Sequence, residues 1–506
     1  MRLDKTKNAK RNLKWGLLYR LSGILVPFVC KAGIIRVFGI NYLGLNQLFS
    51  SILNALNLAE LGFGSTVVFF MYEAIANEDT GRMQVLLAYF RKVYRIIGTI
   101  IILIGVALIP FLKFLIKRDI PNDVNIYYLY LISLIATSIS YLLYGFENSI
   151  LTAHQRSSVI YVIQAFVLLT ESILQIIAVF ILKNYYAYLL TNIIAVVATN
   201  ILVHKSVRKE YPQYYPSGEI TIIEREEIGN KIRGLFYYKL GGVIISSADS
   251  IIISAYLGLN SAGTYGNYYY IITLLNGLFT VYYASFRAGL GNSIVMESIE
   301  KNYSYFKKLQ FMQNWIVAWC TICLLCMYQD FIYLYAGEKN VLPYGVVICL
   351  SILFFVWKIQ DVVNVYKEAC GLWTEDRYRP IIGALINFVL NIVSVQFCGL
   401  YGVVLSTVVV LATLDLAWAP RALFSKYFDT ELNRYYQLII AGIINFIIMF
   451  LPTYFFVSFI DQSSHLIRLI VISIICILVP NTAFIACNYK KEEFKDLKDM
   501  ICKSNR

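Results

Sequence analysis

Charge is scarce in this chain. Only 15% of its 506 residues are Asp, Glu, Lys or Arg, where ordinary soluble domains carry about 25%. With 58% hydrophobic residues and a mean hydropathy of +0.63, this excludes a soluble globular protein and leaves an all-α integral membrane protein. Histidine is rarer still: His154, His204 and His465 sit at segment edges without a metal-ligand or triad context. There is no Walker motif, no dinucleotide-binding glycine pattern and no nucleophile elbow, which argues against ATP hydrolysis and acyl chemistry. The longest polar stretch, 205–234, is too short to house a catalytic domain. The chain therefore reads as a non-enzyme without a cofactor.

Ten cysteines are present, mostly inside apolar segments, where a free thiol acts as a small hydrophobe. Cys320, Cys323 and Cys326 have the spacing of a cluster-ligand run. They lie beside Trp315 and Trp319 with no fourth cysteine and its usual proline, so packing is the better reading.

What is abundant is apolar length. Hydropathy and turn residues mark fourteen segments long enough to span a bilayer, which takes roughly 20 apolar residues each. The first apolar run is too long and too charged for a cleavable leader. The polar stretch 205–234 (KSVRKEYPQYYPSGEITIIEREEIGNKIRG) separates an N-lobe at 1–204 from a C-lobe at 235–426, with two further helices and a tail at 427–506. The net charge of +13 is not a nucleic-acid signature. Counted loop by loop, one side holds only Lys113, Lys117, Arg118, Lys183, Lys339 and Arg468, and the other holds most of the remaining cations. The positive-inside rule then places both termini in the cytoplasm.

The segment 15–46 stands apart. It is long and apolar, yet carries Arg20, Lys31, Arg36 and a central Pro27. Charges near the bilayer centre cost several kcal/mol on most scales and so face a protein interior or a wet cavity. The segment ends in Tyr42-Leu43-Gly44-Leu45-Asn46, and the same pentapeptide returns at Tyr256-Leu257-Gly258-Leu259-Asn260. Glu147, Leu151 and Arg156 are likewise echoed by Glu368, Leu372 and Arg377. Two six-helix lobes related by a parallel repeat follow, with the axis along the membrane normal.

Three stretches, YLGLNQLFSSILNALNLAELGFGSTVVFFMYEAIA (42–76), DSIIISAYLGLNSAGTYGNYYYII (249–272) and EACGLWTEDRYRPIIGALINFVLNI (368–392), resemble the oligosaccharide flippases. These are the O-antigen and capsular-repeat transporters of the multidrug/oligosaccharidyl-lipid/polysaccharide (MOP) exporter superfamily. The resemblance covers essentially the whole chain and its plan of six, six and two helices. It implies translocation of undecaprenyl-pyrophosphate-linked oligosaccharide repeat units across the bacterial cytoplasmic (inner) membrane by alternating access. It also implies coupling to an H⁺ or Na⁺ gradient, contact with lipids, and work beside the polymerase and glycosyltransferases of the same surface-polysaccharide pathway. A monomer is expected.

Such a substrate needs cations to offset the lost hydration of its diphosphate. The candidates are Arg20, Lys31 and Arg36 in the first span, Lys239 in the seventh, Arg287 at the end of the eighth and Lys358 in the tenth. Each has a plainer alternative. Arg20 and Lys239 are near enough to a surface to snorkel, Arg36 could anchor an interface, Arg287 could be a topology charge, and Lys31 could pair with an acid such as Glu60. Lys358 could neutralise Asp361 three residues on. The buried acids Glu60, Glu171, Asp249, Asp361 and Asp415 are each expensive unless paired or protonated. Glu60, Asp249 and Asp361 are the favoured candidates for ion coupling or charge pairing. Two relatives of the leading reading remain open: a MATE-type multidrug or organic-cation antiporter, and a flippase for the peptidoglycan lipid precursor. A membrane-embedded glycosyltransferase would need a large outer loop, and every expected outer loop is short.

Overall fold

The computed structural model describes residues 5–57, 63–372, 375–460 and 464–496; within four helices some side chains are also left undescribed. The described residues are overwhelmingly helical, and what is described of each of the fourteen expected segments falls on a helix or a bent helix. Helix α1 spans Lys5–Val37, α2 Ile40–Leu56, α3 Phe63–Ala76 and α4 Thr80–Leu108, which tightens into a 3₁₀ turn at Ile109–Leu115. Then come α5 Ile126–Leu142, α6 Asn148–Ala153, α7 Ser157–Ile176, α8 Tyr185–Glu210, α9 Ile222–Leu257 and α10 Leu259–Met296. The rest are α11 Ile299–Ala336, α12 Tyr344–Ile359, α13 Asp361–Ala369, α14 Arg379–Val410, α15 Leu416–Leu423, α16 Leu432–Ser458 and α17 His465–Asn488.

Among the described residues, nine helices are long and apolar enough to cross a membrane, or ten if Ile126–Leu142 and Gly145–Ala153, bent by 53°, count as one. The other expected spans lie on helices that are cation-rich (α1), short and interrupted (α2, α3) or dense in tyrosine and asparagine (α10). Within α14, Gly399 has a φ of 55° and breaks a continuous run of helix.

Local sequence explains where helices begin. Asn125, Asn184, Asp79 and Ser298 each accept a hydrogen bond from a first-turn amide of α5, α8, α4 and α11. Such caps are worth about 1 kcal/mol each. Thr221 caps α9 through the amide of Glu224, and its hydroxyl donates back to that carboxylate at 3.0 Å, a variant of the capping box.

By internal contacts the chain divides into residues 1–266 and 267–506. In the first unit, α1 packs on α7, α7 and α5 on α8, α4 on α5, and α2 on α9. In the second, α11 packs on α12, α16 and α17. There Trp315 stacks on Phe484 at 4.7 Å and Trp319 donates to the Cys476 carbonyl at 2.7 Å. Cys323 and Cys326 sit in that same apolar contact.

The first unit corrects the register of the repeat. Gly39, ahead of α2, has φ 106° and ψ 167°; Gly258, ahead of α10, has φ 98° and ψ 172°. This left-handed turn favours glycine, and it makes Gly39 the counterpart of Gly258. Gly44, which the pentapeptides would equate with Gly258, lies instead inside α2 and matches Gly263. The matching pentapeptides thus do not occupy equivalent places.

The two turns are also in contact. A Cβ on Gly44 would meet the Leu259 carbonyl oxygen at 2.1 Å, and one on Gly263 would meet the Ile40 carbonyl oxygen at 2.4 Å. The same two roles are played twice, exchanged between the copies. An extended segment after the 3₁₀ turn straps this junction. The Lys117 amide donates to the Ser254 carbonyl at 3.2 Å, the Leu259 amide to the Arg118 carbonyl at 3.3 Å, and the Arg118 guanidinium to the Leu257 carbonyl at 3.1 Å. Asn41 donates to the Asp119 carbonyl at 3.4 Å.

Candidate functional site

The first unit carries a half-open pocket of about 580 Å³, within the roughly 300–1,000 Å³ usual for small-ligand pockets. Its walls follow the helical period. On α2 and just beyond it the lining runs Asn46, Ser50, Asn54 and Asn57; on α5 it runs Ser133, Thr137 and Ser140, followed by Tyr144. On α7 it runs Gln164, Val167, Leu168 and Glu171, and on α8 Asn192, Val196, Thr199, Asn200 and Val203. Steps of three or four residues keep each set on one face, so four helices turn polar stripes towards one space. Asn148 of α6 and Tyr19 of α1 also line it, as do the apolar Leu53, Ala136 and Ala195, so about half of the lining is apolar.

The stripe is only partly satisfied by protein. Glu171 accepts from the Gln175 amide at 3.1 Å, and that amide also reaches Asn192 Oδ1 at 3.2 Å. Asn200 donates to Ser140 Oγ at 3.2 Å. By contrast, among the described residues Asn46, Ser50, Asn54 and Gln164 make no side-chain hydrogen bond to protein, and Asn148 Oδ1 is buried without a partner. Only Asn148 Oδ1 among these is buried, where a missing partner costs roughly 1–3 kcal/mol; Ser50 and Asn54 are exposed and Asn46 and Gln164 half-buried. Open to the pocket, these amides and hydroxyls can bond a hydrogen-bonding guest. Glu171 is the one ionisable carboxylate among the described lining residues, and these include no Lys or Arg. Tyr144 stacks on His204 at 3.9 Å, and His204 Nδ1 lies 2.9 Å from the fully buried Glu147, which Arg208 also holds at 2.6 Å.

The candidates named from sequence fall in both units. Glu60 lies outside the described residues, as do the side chains of Arg20 and Lys239. Lys31 is half-buried in α1. Two residues on, Gly33 abuts Phe180, where a Cβ would come within 2.9 Å. Two residues are about 200° of helix, so Lys31 points away from that contact. Arg36 is exposed in the last turn of α1, where a cation suits the carbonyl end of a helix. Asp249 of α9 is buried and accepts from Tyr265 Oη at 3.4 Å. Its neighbour Ser250 accepts from Gln47 of α2 at 3.0 Å.

In the second unit the charges are paired. Lys358 is 2% exposed; its ammonium donates to Asp361 and to Asn276, each at 2.7 Å, and lies 4.0 Å above the Trp357 ring. Tyr283 donates to the same Asp361 oxygen at 3.2 Å. Arg287 pairs with Glu368 at 2.9 Å and is half-exposed. Asp415, one of the acids expected to be expensive unless paired or protonated, is a partner of Arg379, which also grips Asp376 at 2.8 and 2.9 Å; Lys367 reaches Asp376 as well. Arg156 pairs with Glu210 at 2.6 Å, while Glu147 binds Arg208 and Glu368 binds Arg287.

No protein-family model matches the sequence, and no curated protein does. Solved structures do. A lipid II flippase, MurJ, in an inward closed conformation matches with a TM-score of 0.69 and 16% identity, over 94% of this chain and 99% of that one. An inward-facing MATE-family multidrug resistance transporter of the MOP superfamily matches with a TM-score of 0.58 and 14% identity, over 80% of this chain and 97% of that one. A point mutant of the Vibrio cholerae MATE transporter VcmN matches with a TM-score of 0.55 and 15% identity, over 84% and 98%. The MATE chains are thus used up while 16–20% of this chain is left over, a share comparable to its final helix pair and tail. Helix plan, length and these likenesses agree that the chain has the fold of the MOP-superfamily transporters, lipid II flippase and MATE proteins alike.

Proposed function

We propose that this protein is a flippase for undecaprenyl-pyrophosphate-linked oligosaccharide repeat units, moving them across the bacterial cytoplasmic membrane for surface-polysaccharide synthesis. The observation that carries this reading is the near-complete match to a lipid II flippase fold, 94% of this chain on 99% of that one, joined to a polar cavity inside an apolar bundle. A lipid-linked sugar asks for both. Its prenyl tail stays in lipid while its head crosses about 30 Å of hydrocarbon in a hydrogen-bonding space. Lys31, Arg20 and Lys239 are the cations this reading assigns to the diphosphate; Lys358 and Arg287 pair with acids. Glu171 and Asp249 are the acids it assigns to H⁺ or Na⁺ coupling, Asp361 being bound to Lys358. Both termini lie in the cytoplasm on this reading, the side favoured by the lysine and arginine count.

The test is lipid analysis of a strain lacking the protein, with the pathway's glycosyltransferases intact. Undecaprenyl-pyrophosphate oligosaccharide should accumulate, inaccessible from outside the cell. No accumulation, together with new sensitivity to cationic dyes, would favour a MATE-type antiporter. Accumulation of the peptidoglycan precursor alone would favour the lipid II reading.

A further inference from the structure

We propose that the cavity of the first unit is a receptacle for the sugar portion of the substrate, specific for uncharged, hydroxyl- and amide-bearing rings rather than for acidic sugars. This rests on the flippase reading and assigns the sugars and the diphosphate to different surfaces. Asn46, Ser50, Asn54 and Gln164 project unpaired donors and acceptors into the space. A primary amide can donate to one hydroxyl and accept from its neighbour, so it matches a vicinal diol or an N-acetyl group. Tyr144, held rigid by its stack on His204, supplies an aromatic wall against which the apolar face of a pyranose can lie.

The lining also selects by charge. A diphosphate is best held by Arg or Lys, whereas here the described side chains are neutral apart from Glu171. That carboxylate accepts hydrogen bonds from hydroxyls and repels a second carboxylate. From Asn46 to Asn57 the polar stripe runs about 16 Å along the helix at 1.5 Å per residue, enough for more than one ring in file.

Purified full-length protein in lipid nanodiscs would be titrated with N,N′-diacetylchitobiose, with digalacturonate and with inorganic pyrophosphate, and binding read by ligand-observed NMR. Chitobiose should bind at least tenfold more tightly than digalacturonate. Asn54→Leu and Gln164→Leu should each weaken chitobiose about tenfold; Asn54→Ser, which keeps a hydroxyl, should weaken it less. Glu171→Gln should narrow the gap between neutral and acidic sugars. Equal binding by wild type and both leucine variants, or a preference for digalacturonate, would overturn the proposal. Flipping of a lipid-linked repeat in proteoliposomes is measured in parallel. Normal flipping without sugar binding sinks the receptacle alone, while sugar binding without flipping sinks the flippase reading and leaves only a site for neutral sugars.

Discussion

The carbonyl oxygen of Leu259 occupies the place a side chain on Gly44 would need, 2.1 Å from an ideal Cβ. Gly44→Ala therefore forces α2 and the start of α10 apart. Overpacking of this kind costs typically about 1–3 kcal/mol. The variant should melt earlier and exchange amide hydrogens faster across residues 255–262, where the strap from Lys117 and Arg118 is anchored. Gly277, inside α10 with nothing within 4 Å of its Cβ position, is the control: Gly277→Ala should leave stability unchanged or raise it by up to about 1 kcal/mol, and should not speed exchange across residues 255–262.

Lys358→Ala would strand Asp361 in a buried site. Removing one partner of a buried pair costs about 3–5 kcal/mol, while replacing both with apolar residues is often neutral. Lys358→Ala should thus lower thermal stability sharply, and Lys358→Met combined with Asp361→Leu should restore it. If the double variant is stable and still transports, the pair is structural. If it is stable and inactive, Lys358 or Asp361 also serves transport.

Lys31→Ala should insert and fold yet abolish export, while Lys31→Arg keeps the charge and should retain part of it. Complementation of surface polysaccharide, with membrane abundance measured alongside, decides this. Normal export by Lys31→Ala would remove Lys31 from substrate contact.

His154 lies just past α6, against the rings of Tyr211 and Tyr214 at 4.3 and 5.5 Å, with Nδ1 donating to the Ile150 carbonyl at 3.0 Å. Burial, and secondarily Arg156, depress its pKa below the ordinary value, against the hydrogen bond to Ile150. The unfolded segment therefore takes up a proton first. Stability from this contact is fully present above about pH 6.5 and declines as pH falls below it. Limited proteolysis of residues 211–221 should accelerate as pH falls from neutral to about two units below, and His154→Phe should flatten that dependence.

Much of the fold was legible in the sequence because apolar length and breaker residues act locally. The apolar segments, the helix starts at Asn125 and Asn184, and the break at Gly399 all follow from neighbours within a turn or two. Charge pairing was not legible. Nothing in the spacing links Arg379 to Asp415 or Arg208 to Glu147, because these pairs depend on which helices pack. The cavity was harder to see because membrane cost singles out full charges, while amides carry a smaller penalty. A signal was present: Asn46, Ser50, Asn54 and Asn57 step along α2 by threes and fours, and Asn192, Thr199 and Asn200 share one face of α8. The pentapeptide misled because identity over five residues outweighed the turn chemistry of Gly39.

The reciprocal glycine contacts also bear on the chain's origin. Gly44 against Leu259 and Gly263 against Ile40 are one contact made twice with the partners exchanged, which is what the isologous interface of a two-fold homodimer presents. An ancestor consisting of one six-helix lobe would have met its own copy through this surface. Residues 205–234 would then be the suture, and the closeness of those helices an inheritance from the dimer.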